Sequence, residues 1–286
     1  MEYLAIRVLC SFFAGMVLSQ TGSLLQFGTR NILSSPSTLG VDGLVILWML
    51  ILNSLLLLTG LDMDLMWALI LGIPLFALIG VYFSKFLTGD KKFQTIILVG
   101  ITFNILVGAV FSLWQFMFMA FNFPFPIELW FGHFRYAQWS HVILLMVSEV
   151  LLLIGLITFK RSLNLASISK ELLKQWNQSE KNLNRFIFIS VTIGTLIIIQ
   201  SFGAFSFVGL VFPIVARKFW FSRLDLKGEF FVGAIMNGVV FAVLDALCYF
   251  FPIMGAEIPV GLIVTVFGAA SLIILLWTQA IKTRYS

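Results

Sequence analysis

The sequence predicts an all-α polytopic membrane protein, and three observations carry that prediction. Hydrophobic residues make up 60% of the chain and charged residues only 11%, where a soluble domain carries about 25% charged residues. Mean hydropathy is +1.04. The apolar stretches recur at lengths near the roughly 20 residues that a helix needs to cross a hydrocarbon core of about 30 Å. With no long polar stretch in its 286 residues, the chain has room for one membrane domain over 1–286 and no separate soluble domain. The abundance of Phe (31) and Trp (8) suits lipid-facing surfaces and interfacial belts.

Taken in order, the apolar stretches place spans near 5–27, 43–60, 65–87, 93–121, 139–159, 184–203, 206–216, 230–251 and 259–281. The seventh is short. Charge supports counting it as a crossing. If it crosses, all of the 18 Lys and Arg except Arg7 and Arg135 fall on one face, which the positive-inside rule makes cytoplasmic. Without it, the later loops would switch sides and the bias would break down. The topology expected is multi-pass in the cell membrane, with a cytoplasmic C-terminus and Met1 outside. The run after Arg7 could be read as a signal peptide, but it has a single basic residue in front and a polar continuation, Gln20–Gln26, without a small-residue cleavage site. Cys10 and Cys248 both fall inside apolar stretches and read as core residues, not as a disulfide or a metal site.

The segment Phe205–Arg217 points to transport. Glycine and proline interrupt an apolar run, and Arg217-Lys218 closes it. A helix broken inside the bilayer belongs beside a cavity, because freed backbone groups cannot face lipid. Gly209 and Pro213 are therefore pathway candidates on backbone grounds. Glu257-Ile-Pro-Val-Gly261 opens the last span, and its carboxylate is placed to cap the first backbone amides.

The longest polar stretch is 160–185, where Ile168, Leu172, Leu173 and Trp176 recur at helical spacing between lysines. It reads either as an interfacial helix on anionic lipid or as a contact for a partner. Asp245 and Glu149 lie inside spans, and an intramembrane carboxylate is a functional candidate by default. A hydrogen bond to a neighbouring helix is the reading for Asp245, while Glu149 is open: protonated, paired or turned to a cavity. His133 and His141 read as interfacial residues rather than ligands, and no metal site is expected. The chain lacks the G-x-x-x-x-G-K-[ST] loop of a nucleotide-binding site.

These segments together resemble a known family. Thr21-Gly-Ser-Leu-Leu-Gln26 with Thr29-Arg-Asn-Ile-Leu-Ser-Ser-Pro-Ser-Thr-Leu-Gly-Val41 is similar to the "SGAxLQ…TRNPLAxPxxLGV" segment of the iron-chelate (siderophore or haem) and cobalamin ABC-importer permeases, the FecCD/BtuC-like group. Val99–Asn104 resembles that family's "AGIALN", and Leu129–Gly132 with Trp139-Ser140 its "WLxGSLxxxxW". Leu163-Asn164-Leu165 resembles "LNLLxLGE", Phe205–Arg217 resembles "GFVGLIVPHIAR", and Glu257–Gly261 resembles "EIPVG". The matches occur in the family's order.

The resemblance implies a type II ABC-importer permease fold of about nine transmembrane helices, with the first family helix missing and one short broken helix. It implies inward movement of an iron chelate driven by a separate ATPase; a cobalamin importer is the alternative, and an ion-coupled transporter using Asp245 and Glu149 the rival class. ATP and Mg would sit on the partner ATPase, this chain binding no cofactor and being no enzyme itself. In the 160–185 loop, Leu163, Asn164, Leu165, Ser167, Ser169 and Leu172 become ATPase-coupling residues. Asn31 and Leu33 become cytoplasmic gate residues, with Gln94 and Asn104 on the pathway. Partners implied are a second permease subunit (a heterodimer is favoured), two ATPase subunits and an extracellular solute-binding protein, with no nucleic acid. Of the docking charges, Leu4 stands where the family has its first arginine, so Arg7, with Arg135 beside it, would meet the binding protein.

Overall fold

The computed structural model describes residues 2–59, 65–86, 90–120, 130–220, 228–252 and 256–284. Among them run α1 (Glu2–Thr29), α2 (Val41–Thr59), α3 (Leu65–Phe86), α4 (Asp90–Ala120), α5 (Trp139–Thr158), α6 (Lys160–Ile168), α7 (Lys170–Gln175), α8 (Glu180–Phe202), α9 (Val208–Trp220), α10 (Ala234–Phe250) and α11 (Val260–Arg284). A π-helical turn, Gly228–Gly233, leads into α10. Leu129 lies outside the described residues, and Gln94 lies within α4 with its side chain outside the described ones.

Among the described residues six helices are long and apolar enough to cross a membrane, in α1, α3, α4, α5, α8 and the stretch Phe230–Phe250. Three shorter apolar ones lie in α2, α9 and α11. Each expected span therefore corresponds to one helix. The boundaries moved most in two places. The sixth span begins at Glu180, where Ser179 caps it by accepting from the Asn182 amide at 3.2 Å, so the polar loop is shorter than 160–185. The seventh span is α9, Val208 to Trp220, which at 1.5 Å per residue is about 20 Å and falls short of the roughly 30 Å core.

The bundle is built around α1, which is buried along most of its length and packs most extensively on α10, with α5, α8 and α9 also against it. Its inward residues include Ser11, Ser19, Gln20, Thr21, Ser23 and Gln26, polar side chains that suit helix contacts where lipid gives no hydrophobic drive for association. It stops at Arg30, whose φ of 51° is left-handed. The Asn31 amide reaches back to the Gln26 carbonyl and the Arg30 amide to Phe27, both at 3.2 Å, the pairing of a Schellman cap. The exposed faces of α3, α4 and α5, with Leu78, Ile105 and Leu151 all more than 60% accessible, are apolar surfaces of the kind lipid or another subunit covers.

Candidate functional site

Segments that stand apart in the sequence meet in pairs. Gly22 of α1 lies against Gly209 of α9, and a Cβ at Gly22 would run into the Gly209 carbonyl oxygen. Pro213, four residues on, has no N–H to offer that carbonyl, so a glycine partner lets α1 approach it closely. Pro36 joins the contact, its Cδ 3.2 Å from where a Cβ at Gly209 would stand. The 38–39 backbone lies on Gly100 of α4, where a Cβ would stand 2.5 Å from the Thr38 oxygen. One turn further, Asn104 receives the Gly43 amide on Oδ1 at 3.1 Å and donates from Nδ2 to the Ser37 carbonyl. Near the end of α8, the Gly132 amide donates to Ala204 and the Gly261 amide to Gly132, both at 2.8 Å. Glycine is required at 261, since a Cβ would sit 2.6 Å from the Gly132 nitrogen.

The pairing of the 36–43 turn with α4 leaves a cavity of about 120 Å³, in which the polar Ser37, Asp42, Asn104 and Ser206 stand among the apolar Ile46, Val107, Trp130 and Ala204. The Ser37 hydroxyl donates to Asp42 Oδ2 at 2.5 Å. The pathway candidate Asn104 and the entrance to the broken helix therefore border one space. Asp42 was not singled out from sequence, because a carboxylate in the first turn of a helix reads as an ordinary dipole partner. The convergence of the Ser37 and Asn104 segments on it was not visible there.

Arg7 corrects an expectation. Its side chain is 2% exposed, not presented to a partner at the surface. Nε and Nη2 donate to Asp245 of α10 at 2.8 and 2.9 Å, and Nη1 donates to Glu257 at 2.8 Å. Its guanidinium lies 5.0 Å from the Tyr249 ring centre. Glu257 also departs from expectation, because its carboxylate binds Arg7 instead of capping α11. Burial of two charges is costly unless the geometry is good, and here each of the three guanidinium nitrogens donates one bond to a carboxylate. Arg135 remains exposed.

Glu149 of α5 is 4% exposed and accepts from Gln20 Nε2 at 2.7 Å, which also donates to the Phe230 carbonyl at 3.2 Å. Its Oε2 has no partner among the described residues. His141 is buried at the start of α5, where Nδ1 accepts from the Gln138 amide at 3.1 Å. Among the described residues no group of three or more His, Cys, Asp or Glu stands close enough to hold a metal.

The polar loop folds into α6 and α7, which pack on one another. Leu163 is 3% exposed and so is corrected from contact residue to core residue. Asn164 and Ser167 are exposed, Leu165, Ser169 and Leu172 half-buried. Ile168 at 72% and Trp176 at 55% are the open apolar side chains. Ser169 Oγ accepts from the Leu172 amide at 3.1 Å, so this serine starts α7. On the other side of the same region, Asn31 Oδ1 accepts from the Leu33 amide at 2.9 Å, and Arg30 Nη2 donates to the Ala166 carbonyl at 3.1 Å. The turn holding the two gate candidates is thus tied directly to α6.

The chain resembles membrane permeases along nearly its whole length. It is 26% identical over 286 residues to the iron(3+)-hydroxamate import system permease protein FhuG of Bacillus subtilis, covering 96% of this chain and 82% of that one. It is 29% identical over 277 residues to the vitamin B12 import system permease protein BtuC of Vibrio vulnificus, covering 92% and 78%. Among solved structures, one described as a metal-chelate type ABC transporter in an inward-facing conformation superposes with a TM-score of 0.71 at 20% identity, over 95% of this chain and 85% of that one. The model of the FecCD transport family matches residues 1–278, and the chain belongs to that family of ABC transporter permeases.

Proposed function

We propose that this chain is the permease subunit of a binding-protein-dependent ABC importer that carries iron chelates, a ferric siderophore or haem, inward. The observation that carries the coupling half of this reading is the α6–α7 pair. Two short polar helices interrupt the long apolar ones, present Ile168 and Trp176, and are bonded through Arg30 to the turn that holds Asn31 and Leu33. An ATPase that grips this pair has a mechanical line to the gate.

ATP and Mg belong on the ATPase partners, and this chain supplies the path. The iron(3+)-hydroxamate permease among its relatives supports an iron chelate, while the identity to a vitamin B12 permease supports cobalamin as the second reading. With Arg7 engaged inside the fold, Arg135 is the remaining docking candidate. That favours a heterodimer whose other permease subunit supplies more of the binding-protein contacts. A proton relay through Asp245 and Glu149 has little support: Arg7 occupies both oxygens of Asp245, and Glu149 bonds Gln20.

The test is Ile168→Asp in the assembled transporter. Ile168 is open, so the bundle should fold and insert as before, while a charge forced against an apolar docking surface abolishes stimulation of ATP hydrolysis by the loaded binding protein. Stimulation equal to that of the parent would overturn the coupling assignment. Mass spectrometry of the ligand that co-purifies with the binding protein separates iron chelate from cobalamin.

A further inference from the structure

A crevice of about 170 Å³ opens where α5 ends. Leu156 and Ile157 of α5, Leu163 of α6, and Phe230 and Phe231 of the π-helical turn wall it, and Lys160 is the charged residue of its lining. Ile157 and Phe231 are 65% and 40% exposed, so the apolar walls are open on one side. Two of the crossing stretches, Trp139–Thr158 and Phe230–Phe250, have their ends here. The walls thus belong to the edge of the apolar layer, and Lys160 stands just beyond it. Arg161 follows, its guanidinium 5.0 Å from the ring centre of Trp176, an aromatic of the type that sits at headgroup level.

We propose that this crevice binds one anionic glycerophospholipid, with an acyl chain along Leu156, Ile157 and Phe231 and the phosphate at Lys160. A soluble partner is a poor occupant, because two of the three walls come from helices inside the bilayer. A zwitterionic lipid would fill the apolar part equally well, and the lysine selects for net negative charge. Basic pockets between helices on the cytoplasmic side attract such headgroups, and each lysine near the surface is worth about a fivefold preference. The site also bears on coupling. Leu163 is the inward anchor of α6, and the Phe230 carbonyl accepts from Gln20 in the centre of the bundle. A bound lipid therefore braces the helix that carries Ile168 against the core.

The experiment is native mass spectrometry of the purified transporter exchanged into mixed phosphatidylglycerol and phosphatidylcholine. The parent should retain one phosphatidylglycerol in preference to phosphatidylcholine. Lys160→Ala should lose about fivefold of that preference, and Lys181→Ala, a basic residue outside the crevice, should keep it. Ile157→Trp, which fills the open side without touching the charge, should lose the adduct altogether. Glycerol phosphate should not compete, since it lacks the chain. An equal loss in Lys160→Ala and Lys181→Ala would mean diffuse surface charge and overturn the site. So would competition by glycerol phosphate, or retention of the adduct in Ile157→Trp.

Discussion

Arg7 and Asp245, 238 positions apart, form a two-pronged ion pair with both side chains no more than 2% exposed. The pair joins the start of the central helix α1 to the last turns of α10, and Glu257 adds the segment that precedes α11. Three chain segments are thereby fixed by one guanidinium. Replacing Arg7 with Met strands two carboxylates, and breaking a buried pair in this way costs roughly 3–5 kcal/mol. Arg7→Met should therefore fail to survive mild heating as a monodisperse peak in fluorescence-detected size exclusion. The double variant Arg7→Met with Asp245→Leu, which removes both charges of the pair, should recover part of that loss. Parent-like thermal survival of Arg7→Met would show that the ion pair contributes little.

Gly22 and Gly209 face one another, yet they tolerate change differently. A Cβ at Gly22 meets the Gly209 backbone, which cannot move aside, while a Cβ at Gly209 meets Pro36 Cδ at 3.2 Å and the Leu18 oxygen at 3.4 Å. Overpacking of a close contact costs typically 1–3 kcal/mol. Gly22→Ala is expected at the upper end of that range and Gly209→Ala at the lower, read as shifts in thermal unfolding of the detergent-solubilised protein. Equal shifts would show that α9 slides to accommodate either methyl.

The contrast between those glycines and Arg7 marks what sequence conveys here. Helix number and order were legible because lipid forces each crossing to be a long apolar run. Family motifs marked Gly22, Asn104 and Gly209, but not that the two glycines meet backbone to backbone or that the Asn104 side chain bonds the 37–43 backbone. Arg7 was misjudged for a physical reason. An arginine near the start of a chain, close to a membrane face, looks solvated, and only its pairing with a carboxylate more than 200 positions away buries it. Leu163 failed in a related way: within the polar loop it looked like a contact residue, whereas its place on α6 turns it into the core. Asp42 was overlooked because its cavity requires four separate segments.

Glu149 separates two classes of transporter. Gln20 Nε2 donates to its Oε1 at 2.7 Å, and the amide oxygen of glutamine can take the same bond. Glu149→Gln should keep uptake and its ATP dependence close to the parent. Glu149→Leu leaves the Gln20 amide with the Phe230 carbonyl alone, and losing a partner inside the bundle costs about 1–3 kcal/mol of stability. If Glu149→Gln abolished uptake while leaving the fold intact, a titrating carboxylate would be required and ion coupling would return as the better reading.

Ser206 tests whether the cavity beside Asp42 and Asn104 belongs to the pathway. It precedes α9, is half-buried, and borders the same space as Asp42 and Asn104. The two native cysteines are buried and unpaired, so a single introduced thiol can be followed with little background. Ser206→Cys should react with a charged, membrane-impermeant thiosulfonate. Gly209→Cys should not, because position 209 is packed between α1 and Pro36. The Asp42 carboxylate also sets a sign. A cationic reagent should label Ser206→Cys several-fold faster than an anionic one of the same size, and adding Asp42→Asn should narrow that difference, since unit charges a few ångströms apart interact by about 1–4 kcal/mol in water-like to surface-like surroundings. Trapping ATP on the assembled transporter should change the rate at 206 and leave 209 unreactive. If position 206 resisted both reagents in every state, the cavity would be sealed within the subunit, and Asn104 and Ser206 would be packing residues rather than part of the route.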